Sequence, residues 1–461
     1  MLKKSVCNRF GFLFIVLAVT ACTPHKAYRT DSEVCVSSDP DMDCPESTLQ
    51  EYADAARPDA GYLLAFIEFD DQGQLHDRSQ MQVVIDDLYK KAATQDLLMV
   101  VFVHGWKHSA APGDKNIRMF QKSLERISEM ESGISRKTGY EARKVVGIYL
   151  GWRGASVTVP GVQELTFWDR KNTAHKVGHG GVTEVLNRLE LIRKTKKSVA
   201  ADPDKSRTRL VVVGHSFGGA IVFSALSQIL MTGFIDTAGP DGQISNVKGF
   251  GDLVVLINPA FEALRFAPLS DMTNERRRYF QSQLPVIVVL TSEADYATKY
   301  AFPAGRWFST LLEKHRSTTR TNAIDGEDEV IDQRSANITA AGHFEPYKTH
   351  YLRATGERTA DSPDDESVAE SVRMFFELSQ RWEDDEPGSI IDFGDSVLER
   401  SANSAGRNPY LVIEVDKQLI RDHNDIDDAR VASFVRQLIL ISSQSTDLEE
   451  RQIKRSHVTG K

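Results

Sequence analysis

The stretch RTRLVVVGHSFGGAIVFSALSQIL, at positions 207–230, constrains the fold more than any other part of this 461-residue chain. The unbroken apolar run Leu210–Val213 is typical of a strand that is buried on both faces in a parallel sheet. Gly214, Ser216 and Gly218 follow it directly, and a small-residue apolar segment typical of a buried helix comes next. Glycines permit the sharp turn from strand to helix that bulkier residues would block. The pattern predicts an α/β fold with Ser216 at the carboxyl edge of a sheet.

Apolar strand-like segments alternate with helical patterns over most of the chain. They read YLLAFIEF, LLMVVFVHGW, KVVGIYLGW, RLVVVGHS, DLVVLINPA, PVIVVLTS and YLVIEVD. This alternation predicts a mostly parallel central sheet with helices on both faces. We expect one such core, formed by residues 59–295 and 410–445. Residues 296–409 break the alternation and are rich in Arg, Thr, Asp and Ser, so they are predicted to be a long insertion or cap before the last strand.

The N-terminus carries the features of an export signal. Three positive charges in MLKKSVCNR precede the ten apolar residues FGFLFIVLAV. A run of that length is too short to span a bilayer as a helix, so residues 1–21 are predicted to be a signal peptide.

The end of this segment, Val19-Thr20-Ala21-Cys22, resembles the cleavage site of bacterial lipoproteins. That resemblance implies cleavage before Cys22, which becomes the lipidated first residue. Thr23, which is not the Asp of the retention signal, implies the outer membrane, with the protein facing the periplasm. The alternative is a plain secretory signal with a chance cysteine.

Residues 22–58 have the composition of a tether, and residues 446–461 that of a charged tail. Cys35 and Cys44 lie close together in a polar segment of a chain expected to be exported, which favours a disulfide. Two free thiols or a zinc site are the alternatives, but no histidine lies nearby to serve as a ligand.

A serine hydroxyl between glycines needs a base before it can act as a nucleophile. His423 lies in the loop after the last predicted strand, at the edge where Ser216 is expected, and it is the preferred base. His343 and His350 lie in the predicted insertion, where they would pack or line an entrance.

The base in turn needs a carboxylate to orient it. Asp295 follows a buried strand, and the chain order Ser216, Asp295, His423 matches one known order of such groups. Glu293 in the same loop and Glu262 after the preceding strand are lesser candidates.

Two backbone amides are expected to bind a developing oxyanion. One belongs to Phe217, which opens the helix after the serine, where unpaired N–H groups point outwards. The other belongs to Trp106, because His104 and Gly105 let the chain turn back across the end of its strand.

The motifs HGW, GHSFGG, SEAD and HNDI, in this order at strand ends, resemble those of α/β-hydrolase fold serine hydrolases. The resemblance implies that Ser216 is the nucleophile, His423 the base and Asp295 the acid, with Trp106 and Phe217 forming the oxyanion hole. Gly214, His215 and Gly218 would then form the nucleophile elbow.

The implied activity is cleavage of carboxylic esters, including lipid or other hydrophobic esters, through an acyl-enzyme. No metal or organic cofactor is implied: His175 and His179 are spaced as a metal pair, but no third ligand is spaced to join them. The formal charge of -9 and the lack of a basic stripe argue against a nucleic-acid partner. A non-catalytic binding lipoprotein, or an envelope factor whose insertion binds a partner protein, is the alternative.

Overall fold

The computed structural model describes most of the chain. The described residues are 23–38, 44–53, 58–156, 166–200, 206–237, 245–280, 283–356, 368–381, 388–426 and 428–443. The predicted signal peptide 1–21, the predicted lipidation site Cys22 and the predicted tail 446–461 lie outside them.

A 12-stranded sheet is the centre of a mixed α/β fold. The strands, in chain order, are β1 (Asp31–Ser37), β2 (Ser47–Tyr52), β3 (Tyr62–Phe69), β4 (Leu97–Val103), β5 (Lys144–Trp152), β6 (Arg209–His215), β7 (Leu253–Ile257), β8 (Ile287–Ser292), β9 (Ser317–Thr321), β10 (Asp328–Asp332), β11 (His350–Ala354), β12 (Ile390–Asp392), β13 (Ser396–Arg400) and β14 (Tyr410–Val415). The order across the sheet is β1-β2-β3-β5-β4-β6-β7-β8-β14-β11-β13-β12, and β9 and β10 form a separate antiparallel pair. Neighbouring strands from β3 to β11 run parallel, which confirms a mostly parallel sheet.

Helices cover both faces of the sheet. In chain order they are α1 (Arg78–Thr94), α2 (Lys115–Thr138), α3 (Phe167–Val177), α4 (Thr183–Val199), α5 (Phe217–Ile235), α6 (Ala263–Asn274), α7 (Phe302–Ser309), α8 (Gln333–Ile338), α9 (Val368–Arg381) and α10 (429–443). The segment Gly178–Val182 joins α3 to α4 as a π-helical turn.

Two apolar layers hold these helices on the sheet. One layer packs α1 and α3 to α6 against one face, and the other packs α2, α9 and α10 against the opposite face. Strands β3, β4, β6, β7 and β8 are buried along their whole length, as their unbroken apolar runs require. Helix α5 is long and apolar enough to cross a membrane, but most of it lies buried in the fold behind Ser216.

The prediction of a tether at 22–58 is wrong for much of that segment. Strand β1 pairs with β2, and β2 pairs with β3 at the edge of the central sheet. The polar residues of β2 are buried with partners: the Thr48 hydroxyl donates to the Arg29 carbonyl at 3.0 Å, and the Gln50 side-chain amide donates to the Cys44 carbonyl at 2.9 Å. A disulfide joins Cys35 to Cys44.

The prediction that residues 296–409 form a cap between core strands is also wrong in part. Strands β11, β13 and β12 extend the central sheet beyond β14, and α9 packs with α2 on one face. The last strand of the predicted core, β14, therefore lies inside the sheet, with β8 on one side and β11 on the other.

Candidate active site

Ser216 lies at a strained turn between β6 and α5. Its backbone has φ 55° and ψ -119°, in the region that disfavours a side chain. A Cβ at Gly214 would meet the Gly218 carbonyl oxygen at 2.7 Å, and one at Gly218 would meet the Val103 carbonyl oxygen at 1.9 Å. The two glycines around the serine are therefore required by the close approach of backbone to backbone, as the sequence predicts.

The structure brings Ser216, His423 and Asp295 together in a single path of hydrogen bonds. His423 Nε2 lies 2.7 Å from Ser216 Oγ, and its Nδ1 lies 2.9 Å from Asp295 Oδ2. Because the carboxylate accepts at Nδ1–H, Nε2 is left as the acceptor for the serine proton. This is the geometry of a nucleophile, its base and an orienting acid.

Asp295 is fully buried and has two more donors. The amide of Thr298 donates to its Oδ1 at 3.1 Å, and the Thr298 hydroxyl donates to Oδ2. His343 Nε2 lies 2.9 Å from that hydroxyl oxygen, so Nε2–H donates to Thr298. Burial raises the pKa of Asp295, but hydrogen bonds from His423 and Thr298 outweigh burial and lower the pKa below its ordinary value. The carboxylate therefore stays ionised, and Thr298 and His343 extend the path beyond the acid.

The backbone of His423 is fixed from the core side. His215 Nε2–H and Asn258 Nδ2 each donate to the His423 carbonyl oxygen at 3.0 Å. The Asn258 side chain also accepts from the Ser292 amide at 3.0 Å, and Asn258 has a positive φ of 45°. Burial, followed by the nearby charge of His423, lowers the pKa of His215 to about 3. A neutral His215 thus connects the turn at Ser216 to the loop that carries His423.

Sequence reasoning missed Asn258 and Thr298, and it assigned His215 only to the elbow. A signal for Asn258 was present, because the residue directly follows strand β7 at the carboxyl edge. Thr298 and His343 come from the segment predicted to be an insertion, so their approach to Asp295 could not be inferred from spacing.

The expected oxyanion loop passes directly against the nucleophile. A Cβ at Gly105 would lie 2.7 Å from the Ser216 Cβ, so only glycine fits there without displacing the serine. The amides of Trp106 and Phe217 have no backbone acceptor among the described residues. The two amides follow Gly105 and Ser216, which lie against each other.

His104 holds this loop in place. Its Nδ1–H donates to the Gly105 carbonyl at 2.9 Å, and its Nε2 accepts from the Trp152 amide at 3.0 Å. The Trp152 indole N–H donates to the His104 carbonyl at 2.9 Å, and the two rings stack with centroids 5.7 Å apart. Burial lowers the pKa of His104 to about 4, so the ring is neutral. Its two hydrogen bonds fix the position of the loop.

Aromatic rings line the same side of the site. The ring centroid of Phe167 lies 4.8 Å from that of Phe217 and 5.3 Å from that of Trp106. Trp168 lies 5.1 Å from Phe167. Residues of α3 therefore provide an apolar wall next to the expected oxyanion hole.

The structure separates the other acidic candidates from His423. Glu262 accepts from Lys171 Nζ at 2.6 Å and forms ion pairs with Arg306 at 3.0 Å and Arg265 at 2.9 Å. Glu293 accepts from the Lys417 amide at 3.2 Å.

The remaining histidines serve other contacts. His350 begins β11, is buried, and contacts the Thr349 hydroxyl at 3.0 Å. His175 Nδ1 lies 2.8 Å from the Ser224 hydroxyl oxygen. No group of three or more His, Cys, Asp or Glu side chains able to hold a metal ion occurs among the described residues.

No known protein family and no curated protein matches the chain. Among solved structures it is similar to phospholipase PlaB from Legionella pneumophila, with 12% identity and a TM-score of 0.24. The match covers 76% of this chain and 60% of that chain. A TM-score of this size carries no weight for function, which has to be inferred from the geometry of the site.

Proposed function

We propose that the protein is an α/β-hydrolase fold serine hydrolase that cleaves carboxylic esters, including lipid or other hydrophobic esters. The observation that carries the proposal is the unbroken path from Ser216 Oγ through the His423 ring to Asp295, with contacts of 2.7 and 2.9 Å. The chain order Ser216, Asp295, His423 and the strained elbow between strand and helix support the fold assignment.

In the acylation step His423 Nε2 takes the Ser216 proton while Oγ bonds to the ester carbonyl carbon. The carbonyl oxygen becomes an oxyanion, which the Trp106 and Phe217 amides bind. When the ester C–O bond breaks, the alcohol oxygen takes the proton from His423 and leaves, and the acyl group stays on Ser216.

In the second step a water molecule attacks the acyl-serine and gives a proton to His423. The second tetrahedral intermediate collapses, the carboxylic acid leaves, and the proton returns to Ser216 Oγ. Asp295 stabilises the imidazolium in both steps, and removing one oxyanion donor typically costs about 10²–10³ in kcat.

The test uses the chain from Thr23 onward, which contains every described residue. Hydrolysis of p-nitrophenyl esters from acetate to palmitate is measured beside Ser216→Ala and His423→Ala. We expect both variants to lose turnover and Ser216→Ala to lose covalent labelling by a fluorophosphonate. No turnover of any ester together with no labelling of the parent chain would overturn the proposal and favour a binding role.

We also propose that Cys22 is lipidated and anchors the protein to the outer membrane, facing the periplasm. The support is the lipoprotein-like sequence that ends at Cys22. Mass spectrometry of the N-terminal peptide from the exported protein should show a diacylglycerol adduct that Cys22→Ser lacks.

A further inference from the structure

Exposed apolar side chains are concentrated in one short segment. Of the 14 large hydrophobic residues that are exposed in the described structure, 5 lie between positions 296 and 312. They are Tyr296 at 70%, Tyr300 at 54%, Trp307 at 43%, Leu311 at 51% and Leu312 at 98% exposure. We refer to these five residues as the 296–312 patch. Single exposed apolar residues are ordinary, but a contiguous group marks a binding surface.

The patch is the outer side of a helical segment whose inner side belongs to the candidate active site. The π-helical turn Ala297–Ala301 leads into α7, and the patch residues Tyr296 and Tyr300 stand one turn apart with ring centroids at 5.0 Å. On the inner side Thr298 and Phe302 are buried, and Thr298 donates to Asp295. The near end of the patch, Tyr296 and Tyr300, therefore lies within about one turn of the proposed catalytic acid.

The segment that holds the patch differs in charge from the whole chain. Residues 296–316 contain Lys299, Lys314 and Arg316 against one acid, Glu313, which gives 3 - 1 = +2 when Arg306, paired with Glu262, is left out, while the whole chain carries -9. Lys299, Lys314 and Arg316 are exposed. An anionic surface repels this segment less than it repels the rest of the molecule. The cations of the segment are attracted to such a surface.

We propose that the 296–312 patch binds an anionic lipid surface and so places the active site against it. Tyr and Trp have an apolar ring with a polar tip, which suits the boundary between head groups and acyl chains. Leu311 and Leu312, after the end of α7, would enter the acyl region, and Lys314 and Arg316 would lie among the head groups. The choice of a lipid ester as substrate rests on the proposed function, whereas binding to the surface does not require catalysis.

The test measures sedimentation of the chain from Thr23 onward with vesicles of phosphatidylcholine and phosphatidylglycerol at 3:1. Starting at Thr23 removes Cys22, so an N-terminal acyl chain cannot contribute to binding. The patch variant is Trp307→Ala/Leu311→Ser/Leu312→Ser. The matched control is Leu191→Ser/Ile235→Ser, which changes residues exposed at 53% and 63% elsewhere.

We expect the patch variant to lower the vesicle partition coefficient at least about tenfold, because each leucine that enters the bilayer contributes strongly to the binding free energy. The control should leave the partition coefficient unchanged. Vesicles of phosphatidylcholine alone should bind the parent chain more weakly. Ser216→Ala should bind as the parent does, and p-nitrophenyl acetate turnover should be unaffected in the patch variant. These two measurements separate a failure of docking from a failure of the proposed catalysis.

Absence of vesicle binding by the parent chain, or an equal loss in the control, would overturn the proposal. So would a parent dimer that the patch variant converts to a monomer in light scattering, because the patch would then be a protein interface.

Discussion

Two buried carboxylates, Asp295 and Glu262, follow neighbouring strands of the sheet, and their partners differ in kind. Glu262 after β7 contacts three fixed cations, which are Lys171, Arg265 and Arg306. Asp295 after β8 accepts from the neutral Thr298 amide and hydroxyl and from His423. The pKa of each carboxyl is lowered, so both are ionised near neutral pH.

The difference shows what distinguishes a structural carboxylate from one available for catalysis. Lys171, Arg265 and Arg306 already compensate the charge of Glu262. Glu262 would therefore stabilise a further, transient cation only weakly. Asp295 is held in place by neutral donors, and its charge remains available when His423 becomes protonated. Sequence position alone does not reveal this distinction, which depends on partners far away in the chain.

The largest effect is expected from Asp295→Asn. The amide keeps the shape but favours the wrong His423 tautomer, so kcat should fall about 10⁴-fold. Glu293→Gln, in the same loop, is the control and should change kcat by no more than about twofold. Ester turnover with matched circular dichroism spectra measures both. A small loss in Asp295→Asn would assign the acid elsewhere.

Glu262→Gln should affect stability and not chemistry. It leaves Lys171 buried without its anion, which should cost about 3–5 kcal/mol of unfolding free energy in urea. Burial alone raises the pKa of Glu262, but Lys171, Arg306 and Arg265 lower it from 4.5 to about 2. The stabilisation is thus complete above about pH 4.5 and lost as the pH falls towards 2.

The control for Glu262→Gln is Arg265→Gln, whose side chain is 44% exposed and should contribute under about 1 kcal/mol. If kcat of folded Glu262→Gln fell as far as that of Asp295→Asn, the comparison of the two carboxylates would fail.

Thr298→Val should shift the pH profile. The Thr298 hydroxyl helps to lower the pKa of Asp295, so its loss raises that pKa and the carboxylate that orients His423 is protonated at a higher pH. The acidic limb of kcat/KM should therefore move to higher pH, with a kcat loss of about tenfold. Thr298→Ser keeps the hydroxyl and should keep the profile. If the acidic limb of the pH profile did not move in Thr298→Val, Thr298 would contribute only packing.

The smallest effect is expected at His343. Burial lowers the pKa of His343 to about 4, so at neutral pH it is uncharged and donates one hydrogen bond to Thr298. His343→Leu should lower kcat by no more than about fivefold, since a neutral hydrogen bond contributes about 1 kcal/mol. His343→Gln, which retains an N–H donor, should restore most of it. Equal losses in both variants would indicate packing alone.

The elbow and the positions of Ser216, His423 and Asp295 could be predicted because each follows a strand that is recognisable from its own residues. Parallel strands bring such positions to one edge whatever lies between them. The mixed α/β fold with a mostly parallel sheet is confirmed for the same reason. The catalytic roles stay predictions.

The edge strands could not be predicted because their burial depends on partners distant in the chain. Strand β2 reads STLQEY, which is too polar for a buried strand until the carbonyls of Arg29 and Cys44 accept hydrogen bonds from Thr48 and Gln50. Strand β11 pairs with β14 some sixty positions later, and no local periodicity reports that pairing. The approach of Thr298 and His343 to Asp295 could not be predicted for the same reason.

The internal position of β14 determines when a newly made chain can assemble the proposed active site. Until Tyr410–Val415 emerges, β8 and β11 both present open edges, and the sheet exists as two separate parts. His423 follows only a few residues later, so base and nucleophile cannot meet before that gap is closed. At every earlier stage of synthesis the chain therefore contains the turn around Ser216 but not His423. The unfinished protein therefore lacks the proposed base, and its two open edges are exposed to pairing with other chains.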